Sequence, residues 1–234
     1  MPSPRKVALV TGAGVRVGNA IARHLAKHGY VVAGHYRTHV PRGLAESFQA
    51  DLALPDGPAQ LAAAVRRRFP RLDLLVNSAA GFEERPLEEI DAATFDEQMD
   101  LNARAPLLLT RALLPLLRRS RGSVVNIVDV GGGLVPWRRF AAYAASKAAL
   151  ARITECLALE LAPKVRVNAV LPGAVMWPSD WPPAKVKEHM KKIPLLRAGA
   201  PDDVASAVRF LAEAPFITGA LLPVDGGRHL SGRQ

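Results

Sequence analysis

Short apolar runs alternate with stretches of helical period along most of the chain, as expected of a parallel sheet wrapped in helices. The first cycle is the clearest. Val7, Ala8, Leu9 and Val10 are an unbroken apolar run, residues 11–18 are punctuated by glycine, and 19–28 repeat their apolar positions every three or four residues. That order reads as buried strand, tight turn and helix. Further strands are predicted at 30–34, 47–50, 72–76, 123–128, 164–170 and 219–224. Helices are predicted over 58–69, over 92–118 as one long helix or a helix pair with Pro106 a candidate bend, through Tyr143 and Lys147 to 161, and over 201–212. Between the second and third strands Pro41 and Gly43 leave room only for a short helix. Residues 174–196, rich in Trp, Pro, Lys and Met, break the alternation and read as an excursion that covers a pocket. The expectation is an α/β protein: a three-layer Rossmann fold with a doubly wound parallel sheet of about seven strands. No repeat or linker interrupts it, so residues 1–234 are predicted to be one domain.

Composition narrows the function without naming it. Hydrophobic residues make up 49% of 234, enough for a substantial core. The basic opening and the apolar run broken at Thr11 and Gly12 predict neither a secretory signal nor a membrane span, and the cytoplasm is the expected location. Cys156 is the single cysteine; it excludes an intrachain disulfide and is expected as a buried small hydrophobe on a helix. A net charge of +10 favours anionic partners. Its basic residues are scattered in short clusters without a nucleic-acid-binding motif, so a small phosphate-bearing ligand is expected rather than direct nucleic-acid binding.

The turn after the first strand carries Gly12, Gly14 and Gly18, where a helix amino terminus can receive a phosphate; a dinucleotide is the first ligand to consider. No Lys-Ser/Thr ending follows, which argues against nucleoside triphosphate hydrolysis. At the end of the second strand, where a carboxylate would hold adenine ribose hydroxyls, stand Tyr36, Arg37 and Thr38. A guanidinium there suits a 2′-phosphate, hence NADPH over NADH; the alternative is a solvated turn arginine. Asp51 and Leu52 end the third strand, placed to meet an adenine amino group and cover its ring, although Asp51 equally suits a turn. Asn77 and Ala79 open the loop after the fourth strand, where small residues would admit a nicotinamide ribose, although they equally suit close helix packing. Asp129 follows the fifth strand, either as a functional carboxylate or as a turn cap. Tyr143 and Lys147, four apart, share a helix face, and an ammonium beside the phenol is expected to lower its pKa. Asn102 either connects to Lys147 through a water or packs within its helix.

Together these pieces resemble the short-chain dehydrogenase/reductase family: Thr11-Gly12-x-x-x-Arg16-x-Gly18, Asn77-x-Ala79-x-Gly81, Asn102, Tyr143-x-x-x-Lys147, Pro172-Gly173 and Asp225-Gly226-Gly227. Within it the chain looks most like the pteridine reductases, dihydromonapterin reductases included. Arg16, Tyr36-Arg37-Thr38-His39-x-Pro41, an aspartate at 129 in place of the usual serine, and the ending Asp225-Gly226-Gly227-Arg228-His229-Leu230 carry that likeness.

The resemblance implies NADPH held by Gly12, Arg16, Val17, Gly18, Tyr36, Arg37, Thr38, Asp51, Leu52, Asn77, Ala79, Tyr143, Lys147, Pro172 and Gly173. It implies catalysis by Asn102, Asp129, Tyr143 and Lys147, and a dihydropterin substrate against Phe82, Asp129, Tyr143 and Trp177, the last in the pocket cover. It also implies a homodimer or homotetramer built through the long helices. One departure is visible: Asp129 precedes Tyr143 by fourteen residues, one more than the family's usual spacing.

Overall fold

The computed structural model describes residues 5–177 and 181–231. Seven strands form one sheet: β1 (Val7–Val10), β2 (Val31–Tyr36), β3 (Glu46–Gln49), β4 (Leu74–Asn77), β5 (Ser123–Ile127), β6 (Arg166–Pro172) and β7 (Leu221–Val224). Eight helices accompany them among the described residues: α1 (Arg16–Lys27), α2 (Gly57–Arg68), α3 (Ala92–Met99), α4 (Ala105–Ser120), α5 (Val130–Gly133), α6 (Ala141–Leu161), α7 (Pro183–Met190) and α8 (Pro201–Glu213). Every strand pair is parallel, in the order β3-β2-β1-β4-β5-β6-β7.

Parallel neighbours need crossovers, which put helices on both faces, so a central strand can be apolar at every position. In β1, Val7 and Leu9 pack with Leu61 and Val65 of α2 and Leu109 and Leu113 of α4. The alternate residues Ala8 and Val10 join Ile21 and Leu25 of α1 and Val204 and Val208 of α8 on the other face. The chain moves outward from β1 through β2 and β3, then returns to place β4 on β1's free side. That reversal opens a crevice between the loops leaving β1 and β4, where sheets of this topology take up ligands.

Several expectations are corrected. No helix forms between β2 and β3; Ala45 N–H already bonds the carbonyl of Val32, and Pro41 and Leu44 fold back against Gly34. Of the two readings of 92–118 the helix pair holds: α3 and α4 are joined by a π-helical turn over Asp100–Arg104. Pro106, in the first turn of α4, has no N–H to give the carbonyl of Asn102, which accounts for the widened turn at this place. Cys156 is exposed, not buried. Because α6 is rich in Ala and Leu all round, its sequence does not define a buried face; Leu150, Thr154, Ala158 and Leu161 point inward while Leu159 is 84% exposed. The excursion after β6 carries α7, none of whose residues is buried, and Ile193 anchors its end in the protein. Residues 178–180 of that excursion lie outside the described residues. No described helix is long and apolar enough to cross a membrane.

Candidate active site

At the end of β1, the Thr11 hydroxyl accepts the main-chain N–H of both Ser78 and Ala79 at 2.9 Å, joining the loops after β1 and β4 into one support. Gly14 lies directly under the loop after β2: a Cβ there would stand 1.8 Å from the His39 carbonyl oxygen. This close packing places exposed Arg16, at the head of α1, on the same edge as exposed Arg37 and Thr38. Val17 is half-buried, Gly18 is buried, and Tyr36 closes β2 half-buried. Val15 precedes α1, and no side chain caps that helix.

The other predicted dinucleotide contacts divide. Asp51 closes a turn by accepting the Ala53 N–H at 3.0 Å, and Leu52 packs into the core at 4% exposure rather than opening to a ligand. The Asn77 side chain turns inward to donate to Asn126 Oδ1 at 2.8 Å, so it ties β4 to β5. Ala79 remains half-buried at the crevice, and Gly173 N–H bonds the Val224 carbonyl just past the carboxyl end of β6.

Asp129, Tyr143 and Lys147 meet. The Tyr143 hydroxyl donates to Asp129 Oδ2 at 3.1 Å, while Asp129 Oδ1 accepts the Gly131 N–H at 2.7 Å and caps the short α5. That helical turn lies between Asp129 and Tyr143. Its glycines permit the close fit, since a Cβ on Gly132 would lie 2.2 Å from Lys147 Cβ. The Lys147 ammonium donates to the Ile127 carbonyl at 2.9 Å and lies 5.9 Å from the centre of the Tyr143 ring.

Burial governs the charges. It pushes the Asp129 carboxyl up to about 6, against the opposing pull of the Gly131 N–H, the Lys147 charge and the Tyr143 hydroxyl. It pushes Lys147 down to about 8, partly offset by Asp129. The Tyr143 phenol moves well above its ordinary value through burial, the Asp129 charge and their hydrogen bond. The expected lowering of the phenol by Lys147 is therefore corrected: the carboxylate, rather than the ammonium, is in contact with its oxygen.

Asn102 lies in the π turn, fully buried, but does not bond Lys147. Its side chain accepts the Gly81 N–H at 3.0 Å and donates toward the Gly81 carbonyl, Gln98 and Ser146 Oγ, the last at 3.0 Å. Ser146 in turn donates to the Tyr143 carbonyl at 2.7 Å, so Asn102 reaches α6 through a hydroxyl the sequence did not single out.

Phe82 stands edge-on to Tyr143 with ring centres 4.9 Å apart; one of its faces stacks on Phe140, also at 4.9 Å. Trp137 meets Phe82 edge-on at 6.4 Å and completes an aromatic wall. Phe140 and Trp137 were visible in sequence only as isolated loop aromatics. Trp177 instead stacks on Trp181 within its own excursion, at 5.5 Å.

Comparison with known proteins agrees with this architecture. A family model described as enoyl-(acyl carrier protein) reductase matches residues 12–229. The dihydromonapterin reductase of Citrobacter koseri is 32% identical over 95% of this chain and 96% of its own. The trans-4-hydroxycyclohexanecarboxylate dehydrogenase of Sinomonas cyclohexanicum is 34% identical over 95% and 92%. Among solved structures, the RhlG/NADP active-site complex of Pseudomonas aeruginosa superposes with a TM-score of 0.88 at 32% identity, covering 96% of both chains.

The chain belongs to the short-chain dehydrogenase/reductase family. It is an oxidoreductase that works with NAD(P)(H). The residues fit such a dinucleotide: the glycine turn leaves the head of α1 uncapped, and Lys147, 2% exposed, has three N–H groups and one acceptor among the described residues.

Proposed function

We propose that the protein is an NADPH-dependent dihydropterin reductase, transferring hydride to the C6=N5 imine of a 7,8-dihydropterin such as dihydromonapterin or dihydrofolate to give the tetrahydropterin. The observation that carries this reading is the Asp129 carboxylate on the Tyr143 hydroxyl. A protein that only reduces carbonyls needs a neutral donor to polarise the substrate oxygen. A carboxyl pushed up to about 6 suits an amino-bearing ring instead, accepting its N–H groups when ionised and supplying a proton when neutral. The likeness to dihydromonapterin reductases supports the same choice.

NADPH, when bound, supplies the hydride. The head of α1 and the loop after β1 receive its phosphates, and Arg16 with Arg37 selects the 2′-phosphate. Lys147 directs its unpaired N–H groups at ribose hydroxyls. Asp129 and Tyr143 share the proton delivered to N5, and Asn102 holds Gly81 and Ser146 in place beneath them. Phe82, exposed at the site, stacks on the pterin ring. The excursion at 174–196, with Trp177, covers the pocket as part of one domain. A homodimer or homotetramer would cover the exposed side of α6.

Steady-state assays of the purified protein with NADPH test this proposal. Turnover of dihydromonapterin or dihydrofolate far above that of an acetoacetyl thioester is expected. Efficient acetoacetyl thioester reduction with no dihydropterin turnover would establish the carbonyl reductase reading, which the hydroxy-acid dehydrogenase relative also represents.

A further inference from the structure

β2 reads Val-Val-Ala-Gly-His-Tyr, and its histidine is the one ionisable side chain buried in that strand. His35 is 3% exposed, beneath the glycine turn. It holds that turn twice. Its main-chain carbonyl accepts the Ala13 N–H at 2.9 Å, and its ring Nδ1 lies 3.3 Å from the Gly12 amide, placed to accept that N–H. On the far side, ring Nε2 lies 3.1 Å from the Ala50 carbonyl, at the start of the loop after β3.

A carbonyl can only accept and a main-chain amide can only donate, so these partners admit one neutral tautomer, with the proton on Nε2. One imidazole thus spans from the turn after β1 to the loop after β3, the two segments that flank the adenosine half of the proposed dinucleotide site.

We propose that His35 is a positioning residue for the dinucleotide: its neutral Nε2–H ring holds Gly12 in the left-handed conformation that shapes the turn, and its protonation loosens the turn. The inference rests on a dinucleotide binding there, as the proposed function requires. Gly12 has φ of +68° and no side chain to hold it, so its N–H needs an external acceptor. A proton on Nδ1 would set one N–H against another and remove that acceptor.

Charge from the surroundings gives little compensation. Within the site, Thr11, Gly12, Ala13 and Gly14 carry none on the β1 side. On the β3 side the facing charge is Asp51, which favours protonation together with the Ala50 carbonyl, but burial outweighs both and lowers the pKa below the ordinary 6.5. The ring is therefore neutral and engaged in the folded protein above pH 6.5, and it is lost as a latch only as pH falls through its lowered pKa.

The test is fluorescence titration of the wild type, His35→Gln and His35→Phe with both NADPH and NADH between pH 5 and 8.5. Using both separates a loosened turn, which weakens each, from titration of the 2′-phosphate, which acts on NADPH alone. Losing one buried hydrogen bond predicts roughly a three- to tenfold rise in Kd for the Phe variant at pH 8. Gln, which retains an acceptor and a donor, recovers part of it. The wild type should weaken toward pH 5 for both dinucleotides, whereas the variants lack that shared component. In steady state the loss appears in KM for the dinucleotide rather than in kcat. Long-range proton–nitrogen spectra of histidine-labelled wild type supply a readout independent of variant folding, with protonated Nε2 and bare Nδ1 expected for His35 at pH 8. Wild-type binding with unchanged affinity and parallel pH profiles in the variants, or an Nδ1–H tautomer, would overturn the inference. Failure of the wild type to bind either dinucleotide would overturn the proposed function and this inference with it.

Discussion

Asp129 faces two opposing demands. Its position after β5 places it at the ligand edge, yet burial there opposes the charge it carries at neutral pH. The sign of its contribution follows from the shift. Above pH 6 the folded protein holds a buried carboxylate whose cost the unfolded chain does not share, and below 3.8 the group is neutral in both states. Asp129→Asn, which retains an oxygen for the Gly131 N–H, should therefore stabilise the protein above pH 6 by roughly 1–3 kcal/mol. The gain should fade as pH drops from 6 toward 3.8, while dihydropterin turnover falls sharply. Thermal unfolding at pH 8 and pH 4 measures it; equal destabilisation at both would show that the carboxylate is not under strain. The aspartate itself was legible as a polar residue ending an apolar strand. The direction of the Tyr143 shift was not, because four-residue spacing says that Lys147 shares a helix face without saying that its ammonium is directed at the Ile127 carbonyl. His35 was hidden for a related reason: alternation marks a strand without revealing which polar atoms a buried ring will meet.

Among the elements, the turn between β1 and α1 was the most legible, since apolar run, glycines and helical period follow in unbroken order. Its partner was not. The loop after β2 was read as containing a short helix, whereas it lies across Gly14 through the His39 carbonyl. Gly14→Ala must displace main chain rather than a flexible side chain, so a loss of roughly 1–3 kcal/mol and at least a tenfold weaker NADPH affinity are expected. Thermal unfolding and dinucleotide titration check both; unchanged values would mean that the two loops do not pack as described. The π turn was foreshadowed by Pro106, but a proline signals a disruption without specifying its form, and only the buried contacts of Asn102 show what the widened turn holds.

Across the whole molecule, seven parallel strands and two helical layers follow from a pattern readable in the chain, because both faces of a parallel sheet must be covered. The site was less legible because its parts come from many separate loops and helices. Asn77 and Leu52 occupy positions beside the ligand edge, yet direct their side chains into the interior. Conversely, Phe140 and Trp137 gather around Phe82 from a loop remote in sequence.

In the proposed reaction Asp129 directs the short-chain scaffold toward a dihydropterin. The most direct test of this role is the ratio of kcat/KM for dihydromonapterin to that for an acetoacetyl thioester, measured with NADPH in the wild type and Asp129→Ser. The expected ratio is well above one in the wild type and falls at least a hundredfold in the variant, on the order of one proton-transfer contribution. A ratio left unchanged by the substitution would contradict it.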